Sequence, residues 1–189
     1  MKIFIIGAQG SGKSTQSKLL AEYLNLPFIE TGEIFRNLSK DDSGLGKKVK
    51  ALLQAGELVP DDITSEIVQE KLKNPEYGKG FVMNGYPRNL NQIKLFDPGF
   101  DRVFYLDVSD DEVLNRLFKR AREDDTKKLI EKRLSDYHKL TQVVLDYYKQ
   151  SLKFSHGSNY RNLGILETID GSGSVEEVQQ RLRKALTAK

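Results

Sequence analysis

The chain has 189 residues, enough for one domain with room for small inserts. Hydrophobic residues make up 38% and charged residues 30%, which excludes a disordered or membrane-spanning composition. The 30 basic residues are offset by 27 acidic ones, leaving a net charge of +3, so a nucleic-acid footprint is not expected; the absence of cysteine excludes disulfides and thiolate sites, structural zinc included.

Lys2 is followed by only four apolar residues before Gly7, too few for a signal peptide. No apolar run reaches membrane-span length, so the expectation is a cytoplasmic protein with no membrane partner. Residues 2–6 read as a buried strand ending at Gly7. Residues 13–24 have a helical period, with Leu19, Leu20 and Leu24 on one side. A short strand at 27–30 precedes two helices at about 31–40 and 45–55. Pro60 and two aspartates open a further helix over 61–73. Residues 80–87 read as a strand stopped by Asn-Gly and Pro, and 102–108 as another. Ser109 to Glu112 forms a capping box that starts a helix. A long helical pattern covers 127–151, and 164–171 is the last strand. Ser174 to Glu177 is a second capping box opening a terminal helix. Strands alternating with helices predict an α/β fold, a five-stranded parallel sheet covered on both faces as a three-layer sandwich.

Gly7-Ala-Gln-Gly-Ser-Gly-Lys13-Ser14 fits G-x-x-x-x-G-K-[ST] between a strand and a helix. Glycines let successive N–H groups face one concavity, and the helix adds its positive end. Lys13 can reach β- and γ-phosphates, and the Ser14 hydroxyl can face Mg²⁺. Thr15 could add a hydroxyl to the α-phosphate or simply start the helix. The loop predicts a nucleoside triphosphate site without saying what meets it.

Three later segments carry more chemistry than a fold needs. Residues 30–36 place Thr31 at a helix start and Arg36 on its second turn. Residues 84–92 end a strand in Gly85-Tyr86-Pro87 and then present Arg88 and Gln92. Residues 116–138 hold Arg116, Arg120, Arg122 and Arg133, with Asp124 and Asp125 between. Guanidinium groups suit two polyphosphates brought end to end. No histidine is placed for catalysis: His138 and His156 read as surface residues. Taken singly, Arg116 could pair with Glu112 on a helix face, and Arg120 with Glu123 or Asp124.

In that order, these motifs resemble the adenylate kinases of the nucleoside monophosphate kinase family along essentially the whole chain. The resemblance implies a P-loop nucleoside triphosphatase fold, an acceptor-nucleotide insert over 30–59 and a lid over 121–126. It implies that Lys13 and the backbone of Gly10, Ser11, Gly12, Ser14 and Thr15 hold ATP phosphates. Arg116 would stack on the ATP adenine, with Gly173 approaching that base. Thr31 and Gln92 would read the adenine of AMP, with Glu57, Leu58 and Val59 closing over it. Gly85, Tyr86 and Pro87 would belong to the AMP side, where Arg36 and Arg88 would bind the AMP phosphate. Arg120 from the ATP side, and Arg122 and Arg133 from the AMP side, would surround the transferring group. Mg²⁺ would be held through water by Ser14 and Asn84. The implied reaction is ATP plus AMP giving two ADP, by a monomer.

The chain departs from the family pattern in three places. Asn84 stands where the family usually has Asp, keeping an acceptor oxygen but losing the charge. Only Ala121 separates Arg120 from Arg122, so the lid is very short and closure should exclude water less completely. Gln9 and Ser14 replace the usual Pro and Gly. A UMP/CMP kinase stays open because Pro87-Arg88-Asn89 is reminiscent of that branch, although Thr31 and Gln92 match the adenylate branch. A catalytically weak nucleotide-binding homologue stays open because of Asn84. A GTPase-type switch is disfavoured, since no guanine-reading Asn-Lys-x-Asp stretch is found.

Overall fold

A computed structural model of the chain describes residues 1–120, 126–150 and 165–187. Five strands, β1 (Lys2–Gly7), β2 (Phe28–Glu30), β3 (Phe81–Asn84), β4 (Arg102–Asp107) and β5 (Ile165–Asp170), form one parallel sheet in the order β2-β3-β1-β4-β5. The order reverses around β1, so the carboxyl ends of β1 and its neighbours flank the crevice where such sheets bind ligands. The α/β class and parallel sheet expected from the sequence are present.

Side-chain alternation along the strands divides the core. Ile3 and Ile5 of β1, Val82 of β3 and Phe104 and Leu106 of β4 face α1 (Lys13–Leu24) and α8 (Val175–Thr187). Phe4, Ile6, Met83 and Val103 face the opposite way. There they meet α4 (Asp61–Leu72), α5 (Leu90–Leu95) and α7 (Lys127–Gln150), through residues such as Val68, Ile93 and Tyr148. Phe4 stacks on Phe100 with ring centroids 5.0 Å apart. The result is helix, sheet and helix in three layers. Two further helices, α2 (Thr31–Leu38) and α3 (Gly44–Gln54), share a small separate cluster around Phe35, Val49 and Val59. The remaining helix, α6 (Asp110–Arg120), packs Val113 and Leu117 against Ala8 and Ile130.

Several sequence expectations shift. The buried stripe of α1 is Ser17, Leu20 and Ala21 rather than one containing Leu19, because the 3.6-residue period places Ala21 beside Ser17. The Ser174 box is complete: Glu177 N–H donates to Ser174 Oγ at 3.2 Å, and Ser174 N–H donates to Glu177 Oε2 at 2.8 Å. At the Ser109 box, Glu112 N–H reaches Ser109 Oγ at 3.4 Å, while the Glu112 carboxylate takes Arg116. Among the described residues, no helix is long and apolar enough to cross a membrane.

Buried phenols give the fold a pH limit. Burial pushes Tyr77 and Tyr86 up to about 12, and raises Tyr148 as well. Tyr86 is fully buried, its hydroxyl 2.9 Å from the Gln92 carbonyl, 2.6 Å from the Phe96 carbonyl and 3.1 Å from Ser65 Oγ. A phenol with a raised folded pKa lends stability that is complete below its unfolded value near 10 and is lost as pH rises through 12. The urea midpoint should therefore fall steeply between pH 10 and about 12, and Tyr86→Phe should make that fall shallower. A midpoint unchanged from pH 9 to about 11 would contradict this account.

Candidate active site

The phosphate loop turns because Ser11 N–H donates to the Ala8 carbonyl at 3.1 Å. Gly10 and Gly12 take φ values of 90° and 89°, a region that disfavours side chains. Gly12 immediately precedes α1, and no side chain caps that helix. Its positive end is thus directed at the loop. Lys13 Nζ folds back to donate to the Ala8 carbonyl at 3.1 Å. The Ser14 hydroxyl donates to Glu30 Oε1 at 3.1 Å, and Thr15 is exposed on the first turn.

A cleft of about 240 Å³ opens beside this loop. The structure brings Lys13, Ser14, Arg36, Asn84, Arg88, Gln92 and Arg133 to its walls. Arg88 follows β3, with its Nε held by the Gly85 carbonyl at 3.0 Å and its N–H by Gln92 Oε1 at 2.8 Å. Solvent reaches Arg88 through the mouth of the cleft, yet protein crowds it on most sides. That desolvation lowers its pKa, as does repulsion from Arg133 and Arg36, while Glu30 opposes the shift. A guanidinium remains charged regardless. Arg36, Arg88 and Arg133 thus gather positive charge in one cleft, offset in part by Glu30, and guanidinium groups so placed suit an anionic ligand.

Gln92 Nε2 donates to Asp61 Oδ1 at 2.8 Å. Each end of the Gln92 amide thus keeps one further hydrogen-bonding position for a ligand. Glu57, Leu58 and Val59 roof the cleft. The roof rests on α7: Lys132 Nζ donates to the Ala55 carbonyl at 3.1 Å and lies 3.8 Å from Glu57, and a side chain at Gly56 would collide with Leu129. Gly85 and Pro87 line the cleft, but the Tyr86 side chain turns into the core. Any part of Tyr86 on the AMP side would therefore be played by its backbone. Thr31 is buried, its hydroxyl 3.5 Å from the Asn84 carbonyl, and does not line the cleft.

Arg116 and Gly173 lie outside this cleft. Arg116 pairs with Glu112 at 2.8 Å and also donates to the carbonyls of Ser11 at 3.3 Å and Gly171 at 3.1 Å. It is therefore more than a helix-face pair, since it ties the phosphate loop to the loop after β5. Gly173, with φ 91°, lies in that second loop, which Arg181 braces through the Asp170 and Ser172 carbonyls. The Arg120 side chain, Arg122, the aspartates 124 and 125, His156 and the lid up to residue 125 lie outside the described residues. His138 is exposed and 3.0 Å from both Asp110 oxygens.

Two residues had no assigned site role in the sequence. Asp61 accepts from Asn89, Asn91 and Gln92, so it holds the start of α5 and the Gln92 amide. Glu30 accepts from both Ser14 and Arg36. An acid at the carboxyl end of a strand was the available signal for Glu30.

A glycine-rich loop between β1 and α1 of a parallel sheet, facing basic side chains, defines the P-loop class of nucleotide-binding proteins. The adenylate kinase family model matches residues 5–153. "Adenylate kinase 1" of Nostoc sp. is 35% identical over 192 residues, covering 98% of each chain. The adenylate kinases of Mycobacterium ulcerans and Mycobacterium tuberculosis are each 37% identical over 193 residues, covering 98% of this chain and 99% of the relative. The chain belongs to the adenylate kinase family.

Proposed function

We propose that the protein is an ATP:AMP phosphotransferase, converting ATP and AMP reversibly to two ADP. The observation that carries this reading is the juxtaposition, in one cleft, of the phosphate loop with Arg36, Arg88 and Arg133. The loop would hold the donor phosphates through Lys13 and its backbone N–H groups. Arg36 and Arg88 would hold the acceptor phosphate, and Arg133 with Arg120 and Arg122 the group in transit. An acceptor phosphate oxygen is already anionic, so transfer needs positioning and charge neutralisation but no general base. Gln92 would read the acceptor base, with Thr31 joining it only if its buried hydroxyl leaves the Asn84 carbonyl, and Arg116 with the Gly173 loop would read the donor base.

The donor set at the loop fits a hard cation, because Ser14, Glu30 and Asn84 offer only oxygen acceptors. Mg²⁺ bound there with the nucleotide would neutralise phosphate charge. On this reading residues 30–59 are the acceptor-side insert, supported by the separate small core of α2 and α3. Residues 121–126 would be the lid, and one copy of the chain in the cytoplasm would suffice.

A coupled assay with ATP and each of AMP, CMP, UMP and GMP tests the reading. AMP should be turned over at least tenfold faster than the others, a discrimination reachable through hydrogen bonds to one base. Preference for UMP or CMP would instead place the chain's activity with pyrimidine acceptors. Nucleotide binding without any ADP formation would favour the weak-homologue reading.

A further inference from the structure

Position 30 stands out on the metal side of the site. Glu30 ends β2 in parallel register with Asn84 of β3. Phe28 packs with the α1-side core and Ile29 with the opposite core, so alternation returns Glu30 to the α1 side. Its side chain is 15% exposed and lines the cleft. One oxygen, Oε1, accepts both the Ser14 hydroxyl at 3.1 Å and the Arg36 guanidinium at 3.2 Å. Asn84, its register partner on the adjacent strand, is buried, its Nδ2 donating to Ser17 Oγ at 3.3 Å.

These contacts have a direct chemical reading. A loop hydroxyl that gives its lone pair to a cation must send its proton elsewhere, and Glu30 already takes it. Mg²⁺ keeps most of its waters and is usually held by one or two carboxylates together with nucleotide phosphates. Glu57 and Asp136 also line the cleft, but Glu57 lies at the roof beside Lys132. Glu30 is a carboxylate hydrogen-bonded directly to the phosphate loop. We propose that Glu30 supplies the carboxylate of the Mg²⁺ side, orienting Ser14 and accepting from the cation's water shell. Arg36, 42% exposed, is its counter-ion until an acceptor phosphate draws the guanidinium away. The metal and acceptor sites are thereby linked through one carboxylate, and each ligand should tighten the other. Asn84 then has a reason: a second carboxylate in adjacent register would repel the first.

The inference rests on the reading of the cleft as a Mg²⁺–nucleotide site. Its test uses Mn²⁺, followed by electron paramagnetic resonance, with the non-transferable analogue adenylyl imidodiphosphate. Glu30→Gln should weaken Mn²⁺ in the protein–analogue complex by about 10–100-fold, the range for groups that orient metal ligands. Analogue binding in excess chelator should stay within about twofold, since the metal-free interaction with Lys13 and the loop is untouched. Adding Asn84→Asp to Glu30→Gln should restore Mn²⁺ affinity by returning a carboxylate one strand away. Equal Mn²⁺ affinity in wild type and Glu30→Gln overturns the proposal, as does equal loss with and without metal. In wild-type protein, which needs no substitution to fold, Mn²⁺ with the analogue should broaden the Glu30 side-chain resonances beyond detection; sharp Glu30 signals in the saturated complex overturn it too. A wild-type chain that binds no Mn²⁺–analogue at all would overturn the functional reading itself.

Discussion

Arg88→Ala should lower kcat/KM for ADP formation by about a thousandfold or more, the scale of a guanidinium that stabilises a phosphoryl-transfer transition state. Arg88 is fixed by the Gly85 carbonyl on one side and by Gln92 on the other, and it faces Arg133 and Arg36. The loss should fall on kcat as well as on KM for AMP, because the charge it meets grows during transfer. Arg88→Lys should recover little, since one ammonium cannot reproduce a planar fork. The fold should suffer little: the lost bond to the Gly85 carbonyl is offset by relief of repulsion from Arg133 and Arg36, and the melting temperature should stay nearly level. Steady-state kinetics and thermal melts of the three proteins check both halves. A loss below about tenfold would remove Arg88 from the proposed transfer site.

Gly10→Val is expected to strike stability and nucleotide binding together. Gly10 has φ 90°, and a Cβ there would lie 2.8 Å from Leu117 Cγ and 3.0 Å from the Val113 carbonyl. A β-branched residue would add backbone strain of about 1–2 kcal/mol to overpacking of about 1–3 kcal/mol. Because Leu117 and Val113 anchor α6 beneath the loop, relief comes only by lifting the loop off that helix. The N–H groups meant for phosphate would then lose their common direction. ATP affinity should drop about a hundredfold, with the denaturation midpoint falling in parallel; calorimetry and urea titration measure the two. Tight ATP binding by Gly10→Val would mean that the loop does not need its docking on α6.

The sequence carried the phosphate loop, the alternation of strands and helices, and the arginines, because each has a local signature. It did not carry α5. Six residues are too short a run for Leu90 and Ile93 to establish a helical period, although Asn89 caps the helix by accepting from Gln92 N–H at 2.9 Å. Gln92 was recognised as a ligand-facing residue, yet its hold on Arg88 depends on a turn that brings positions four apart together. Asp61 read as a helix-start acid, and its three amide partners come from about thirty residues along the chain. Glu30 read only as the last residue of a short strand. Its meaning depends on which strand lies next to β2, and a linear sequence does not contain that neighbour. Arg116 was read either as a helix-face pair or as a base-stacking residue, and its bonds to Ser11 and Gly171 span separate loops.

Lys132 and Arg133 are consecutive on α7, so their side chains leave the helix about 100° apart. One grips the roof at Ala55; the other lines the cleft with Arg36 and Arg88. The helix therefore works as a crank with two short arms. A rotation of α7 would move the roof contact and the Arg133 charge together. On the proposed reading, access for the acceptor and the charge that would meet its phosphate hang on the same shaft.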